Sequence, residues 1–266
     1  MNDRLNLRVK SGIAEVQLNR AKKHNALDHK MFESLIETGE RLSNDNSIRA
    51  IILHGSGKSF CAGIDLTMFA GEGMSQDFSK KMLPREKSLA NYYQSAAYVW
   101  REIPVPVIAA LHGVTYGGGL QIALGADIRY ASKDSTFSIM EIKWGIIPDM
   151  AMTTSIPSIM RIDQALEMAM TGDIINASEA NRLGLITAIT SDPLEKARSL
   201  ANNLANKSPD AIRAIKKLFY ETWKNNDQSS LSLEAHLQKK VMAGSNQLEA
   251  VKSSINRTTP NFTDAE

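Results

Sequence analysis

Pro106-Val107-Ile108-Ala109-Ala110-Leu111-His112-Gly113-Val114-Thr115-Tyr116-Gly117-Gly118-Gly119-Leu120-Gln121-Ile122-Ala123-Leu124 passes from an apolar, strand-like run through three consecutive glycines into a helix-like run. A glycine turn at a helix start leaves free backbone N–H groups pointing forward, with no Cβ atoms to keep a ligand oxygen away. The helix dipole favours negative charge at the same place. These are the ingredients of an oxyanion hole. On its own, a Gly-Gly-Gly between strand and helix also reads as a tight turn or a packing device.

Working outward, a second strand-like run, Ala50-Ile51-Ile52-Leu53, is followed by Ser59-Phe60-Cys61-Ala62-Gly63-Ile64-Asp65-Leu66. Here too an apolar strand breaks into small residues. Two such turns can each offer one N–H to a single carbonyl oxygen. The pair Phe60-Cys61-Ala62-Gly63-Ile64-Asp65-Leu66 and Gly113-Val114-Thr115-Tyr116-Gly117-Gly118-Gly119 resembles the oxyanion-hole signature of the crotonase superfamily, the enoyl-CoA hydratases and isomerases. The resemblance continues through Asn25-Ala26-Leu27, Ala126-Asp127-Ile128-Arg129-Tyr130-Ala131, Glu141, Ala180 and Leu183-Gly184-Leu185.

Strands near residues 14–18, 50–53, 107–111, 128–131 and 185–189 alternate with helical patterns near 29–43, 119–126, 162–170 and 178–182, an α/β order. The resemblance implies that they wind as a spiral of ββα units. Residues 71–102 read as a flap followed by a helix, interrupted at Pro84. From residue 208 the pattern is helical. The resemblance therefore implies a catalytic core over 1–207 and a C-terminal helical region over 208–266 that serves self-association as a homotrimer or hexamer.

Composition sets bounds on partners. The chain has 266 residues, 43% of them hydrophobic, and a formal charge of +2. That supports a sizeable core, and dispersed basic residues argue against a nucleic-acid surface. Cys61 is the sole cysteine, so no internal disulfide forms, and without a nearby histidine it reads as a small packing residue. No N-terminal stretch resembles a signal peptide or membrane span, and the expected compartment is the cytoplasm. The five histidines show no metal-ligand spacing. No metal and no permanently bound cofactor are expected; coenzyme A enters as part of the thioester substrate that the resemblance implies.

Carried over residue by residue, the resemblance implies that Ile64 and Gly118 supply the two N–H donors, and that Glu141 and Asp149 carry protons. Hydratases of the superfamily hold one water between two glutamates, and here the first of these positions is Gln121. A carboxamide hydrogen-bonds but does not exchange protons at useful pH, so the paired arrangement is broken. Eight residues beyond Glu141 stands Asp149, a spacing that resembles the dienoyl-CoA isomerases. Asp149 also reads as a helix N-cap before Met150-Ala151-Met152. Apolar neighbours around Glu141 should raise its pKa. The remaining substrate-binding expectations are Lys23, His24, Ala26, Ala62, Gly63, Asp65, Leu66, Tyr116, Gly117, Gln121 and Trp144, with Met68, Phe69, Met150 and Met152 as further acyl-pocket residues. The favoured reaction is double-bond isomerisation of an enoyl- or dienoyl-CoA. The alternatives are hydration of a 2-enoyl-CoA and a non-catalytic acyl-CoA- or RNA-binding homologue.

Overall fold

The computed structural model describes residues 3–69, 80–86, 88–223, 225–242 and 244–265. The first segment of the expected flap, 71–79, lies outside them. Alternating side chains make the opening strands a hairpin, β1 (Leu5–Lys10) and β2 (Ile13–Leu18), turned by Ser11 and Gly12, both at positive φ. Helix α1 (His29–Ser43) starts on Asp28, whose carboxylate accepts from Met31 N and is held by Arg4. There follow β3 (Ala50–Gly55), then α2 (Tyr92–Glu102), opened by an Asn91–Gln94 capping box. Next come β4 (Val107–Leu111), β5 (Val114–Tyr116), α3 (Gly118–Gly125), β6 (Ile128–Ala131) and β7 (Thr136–Ser138).

Beyond β7 the chain forms α4 (Met152–Ser155), α5 (Ile162–Thr171), β8 (Ile175–Asn176), α6 (Ala177–Arg182), β9 (Ala188–Ile189) and α7 (Pro193–Ala205). Three C-terminal helices complete it: α8 (Pro209–Thr222), α9 (Asp227–Val241) and α10 (Ser245–Asn256).

The strands form a six-stranded sheet ordered β1-β2-β3-β4-β6-β9, parallel except for the β1–β2 hairpin, and a small sheet ordered β5-β7-β8. The winding is visible in the register. One turn sends β4 into the large sheet, β5 into the small one and then α3 over them, and β6 and β7 divide between the sheets in the same way. An earlier turn runs through β3 and the Cys61↔Thr115 bridge, which ties Cys61 beside β5. This is the spiral of ββα units that the sequence resemblance implies.

Strands β3 and β4 are buried along their whole length, as parallel central strands must be when both faces are covered. Ile51, Leu53, Val107, Ala109 and Leu111 face α1, α2 and α3 in the main core. The alternate residues Ala50, Ile52, Ile108 and Ala110 meet Ala197 and Ala201 of α7 on the other face. Helix α8 is pinned to the core by polar contacts: Lys216 Nζ donates to Asp127 Oδ2 (2.8 Å) and Val105 O (3.0 Å), and Tyr220 Oη to Asp127 Oδ1 (2.6 Å). Helix α9 packs along α8.

Candidate active site

The first small-residue turn is built by strand-like bonds. Phe60 N donates to His112 O (2.8 Å), Cys61 N to Val114 O (3.1 Å), and Tyr116 N to Cys61 O (3.0 Å). Its other side is braced by Asn25, fully buried and at φ +55°. The Asn25 side-chain amide donates to the carbonyls of Ser56, Ser59 and Phe60, and its Oδ1 accepts from Arg20 N. Leu27 N donates to Gly63 O and Asp65 N to Leu27 O, a one-residue parallel bridge between Leu27 and Ile64. Because Gly63 and Asp65 spend their polar groups on Leu27, the intervening Ile64 N–H faces the other way. Among the described residues it has no backbone acceptor.

Among the described residues Gly118 N–H is also free of backbone acceptors, for a different reason: it is the first residue of α3 and has no intrahelical partner. Gly117 precedes it at φ +50°, with its own N–H donated to Ser138 O. The two turns are pressed together. A Cβ on Gly63 would stand 2.8 Å from Tyr116 O and 3.4 Å from Gly118 N, and one on Gly119 only 2.4 Å from Cys61 O. Small residues at these positions are what let the two N–H groups approach one point.

In front of the turns lies a cavity of about 420 Å³. Glu141 enters it from a single 3-10 turn, Glu141–Trp144, and is buried. Its Oε1 accepts from Gln121 Nε2 at 2.6 Å, and Gln121 Oε1 accepts from Met150 N at 2.8 Å. Glu141 Oε2 is buried and has no hydrogen-bond partner among the described residues. Burial pushes the Glu141 carboxyl above the usual range, with the nearby Glu141 and Met140 backbone N–H groups and the Gln121 bond opposing the shift and the Asp149 charge adding to it. Burial likewise pushes Asp149 up. Raised carboxyls beside a cavity suit proton transfer.

The cavity brings together Ile64, Gly118, Glu141 and Asp149 with Lys23, Ala26, Ala62, Gly63, Asp65, Leu66, Gly117, Gln121 and Trp144. Two expected residues are not in its lining. His24 is exposed and pairs its Nδ1 with Ser59 Oγ, while Tyr116 turns its hydroxyl to Thr136 Oγ1, each at 2.9 Å. Of the acyl-pocket expectations, Met150 lines the cavity, Met152 is buried in the core and Met68 packs against it; the Phe69 side chain lies outside the described residues. The capping role for Asp149 is not realised. Helix α4 starts at Met152 on Ala151, with no side-chain cap. Thr67, Met140 and Ile146 also line the cavity, and their only signal was sequence adjacency to the quoted motifs.

Asp65 is a brace as well as a wall. Burial would raise its pKa, but bonds from Thr67 and Arg20 outweigh that and hold it at about 2. Arg20 Nη1 lies 2.6 Å from Asp65 Oδ2, which ties the end of β2 to the turn. Cys61 is buried, donates its thiol to Asn25 O and is pushed up to about 12 by burial, so it is an inert packing group. Among the described residues no three histidine, cysteine, aspartate or glutamate side chains group to hold a metal ion, and no helix is long and apolar enough to cross a membrane.

Residues 8–265 match the family model described as enoyl-CoA hydratase/isomerase. A probable enoyl-CoA hydratase of Bacillus subtilis is 32% identical over 241 residues, covering 90% of each chain. The mitochondrial Delta(3,5)-Delta(2,4)-dienoyl-CoA isomerase of Mus musculus is 33% identical over 225 residues, 82% of this chain and 68% of that one. Among solved structures, an enoyl-CoA hydratase from Bacillus anthracis superposes with a TM-score of 0.88 at 26% identity, covering 97% of this chain and 98% of the other.

Proposed function

The chain belongs to the enoyl-CoA hydratase/isomerase family, whose members act on CoA thioesters, and from that premise we propose that it shifts a double bond in an enoyl- or dienoyl-CoA. One observation carries the choice of reaction. The residue hydrogen-bonded to Glu141 inside the cavity is a glutamine, so Glu141 has no carboxylate partner at that position with which to hold and split a water.

In this reading the thioester oxygen sits between the N–H groups of Ile64 and Gly118. Negative charge that develops on that oxygen meets two fixed donors, each worth ~3 to 4 kcal/mol in the transition state. For a 3-enoyl-CoA, Glu141 Oε2 takes a proton from C2, the electron pair moves through the thioester to give a dienolate, and the same proton returns at C4. The product is the 2-enoyl-CoA. For a 3,5-dienoyl-CoA the proton leaves C2 and one is delivered at C6, a span that asks for two carboxyls, Glu141 and Asp149. Their shared cavity and raised pKa values support this pairing. In this reading the exposed Lys23 meets the coenzyme, and Leu66, Trp144 and Met150 meet the acyl chain; their common lining of the cavity supports it.

Self-association as a trimer or hexamer belongs to the same proposal. It is supported by apolar side chains exposed on the C-terminal helices, including Phe219, Trp223, Leu248 and Ile255. The test of the reaction is an absorbance assay on a 3,5-dienoyl-CoA, a 3-enoyl-CoA and a 2-enoyl-CoA in parallel. Conversion of either of the first two with slow loss of the third supports isomerisation; rapid loss of the third alone overturns it.

A further inference from the structure

The Gln121 carboxamide has only one orientation open to it. Met150 N–H can donate but not accept, so the amide oxygen must face Met150, and the NH2 group must face Glu141. An NH2 group cannot accept a proton from a carboxylic acid. Its bond to Glu141 Oε1 therefore favours the carboxylate form, and it occupies that oxygen. The other oxygen, Oε2, is the one left without a partner among the described residues.

We infer that Gln121 is a positioning residue that clamps Glu141 through Oε1, so that all proton traffic runs through Oε2, and that it ties this clamp to the backbone of the Asp149–Met150 loop. Gln121 is itself buried in α3. Gly117 borders the same oxygen: a Cβ there would approach Glu141 Oε1 to 3.3 Å. The charged group that faces Glu141 from the following loop is Asp149, and Lys23 and Asp65 line the same cavity from the segments after β2 and β3. A single available oxygen suits a base that must both remove and return a proton, since a carboxylate free to rotate would lose its aim.

The inference rests on the isomerase reading only for its kinetic consequence; the titration that tests it needs no substrate. Carbon-13 labelling of the glutamate carboxyls in the full chain, with the Glu141 signal assigned by its loss in Glu141→Gln, gives the protonation midpoint of Glu141 directly. Replacing the amide by the near-isosteric Gln121→Met should move that midpoint up by about one pH unit, the effect of losing one hydrogen bond to a charged group. The rising limb of kcat/KM against pH should move with it. A merely structural role would lower activity at every pH and leave the midpoint in place, which would overturn the inference. Should Gln121→Met fail to fold, the unmodified protein still decides: the Gln121 side-chain amide protons should shift with pH at the same midpoint as Glu141, and amide protons that ignore that titration would refute the clamp. An upward midpoint without turnover on any enoyl-CoA contradicts the isomerase reading alone, whereas turnover with an unmoved midpoint contradicts the clamp alone.

Discussion

Gly119 lies flat against the carbonyl of Cys61, so close that a methyl group on Gly119 would stand 2.4 Å from that oxygen and 2.7 Å from the Cys61 Cβ. The contact joins the two turns that carry the Ile64 and Gly118 N–H groups. Both partners are backbone or buried, and neither can swing away.

Gly119→Ala should therefore push the turns apart. The expected result is a destabilisation of about 1 to 3 kcal/mol, the usual size for overpacking, together with a loss of turnover of ~100-fold or more. Thermal unfolding and steady-state rates on the same preparation read both effects. A stable Gly119→Ala protein with unchanged rates would show that the close approach has no part in the site.

Glu141→Gln should trade activity for stability. Turnover should fall by ~100-fold or more while acyl-CoA binding persists. The stability change follows from linkage. Burial raises the Glu141 pKa in the folded state, so between the unfolded and folded values the native protein binds more protons, and stability falls as pH rises through that window. Removing the charge lifts this penalty. At pH 8 the variant should be the more stable, with the difference shrinking below the ordinary glutamate range. Equal melting points at pH 8 would argue that the folded protein tolerates the charge without cost.

Asp149→Asn discriminates between substrates. Its carboxyl is needed only when protons move at widely separated carbons, so the rate on a 3,5-dienoyl-CoA should fall by ~100-fold while the rate on a 3-enoyl-CoA changes little. Losses of equal size on both substrates would assign Asp149 to the general architecture of the loop.

Ala151 holds a left-handed conformation, φ +63°, at the start of α4 and two residues past Asp149. A Cβ in that region costs roughly 1 to 2 kcal/mol, against which glycine loses some unfolded-state entropy. Ala151→Gly should raise stability by about 0.5 to 1 kcal/mol in chemical denaturation, and a destabilised variant would mean that the Ala151 methyl packs usefully.

Much of this was legible in the sequence because it sits in apolar periodicity and glycine turns. The core strands β3 and β4 and helices α1, α3 and α5 fall where the pattern put them, within a residue or two. The hairpin strand β1 was not foreseen, since its residues are half-buried or exposed and lack a continuous apolar run. The three short strands of the small sheet, β5, β7 and β8, carry two or three residues each, too few for a period to show. Helix α7 was missed although Asp192-Pro193 is a readable start, with Asp192 accepting from Glu195 N and Pro193 at the first helical position. In the site, the glycine turns were readable, the choice of Ile64 and Gly118 as donors came from the family resemblance, and side-chain direction was not readable. The turning of Tyr116 toward Thr136 and the Gln121 bridge from Met150 to Glu141 depend on contacts between segments far apart in the chain.

The isomerase reading stands or falls on whether water is added, and the mass of the product decides it. Wild-type protein incubated with a 3-enoyl-CoA should raise the absorbance of an enoyl group conjugated to the thioester with no change in mass, and with a 2-enoyl-CoA should give only traces of product heavier by one water. Gln121→Glu, which restores a carboxylate beside Glu141, should increase that hydrated product. Rapid, near-complete hydration of the 2-enoyl-CoA by the wild type, with no gain from Gln121→Glu, would contradict isomerisation as the reaction of this site.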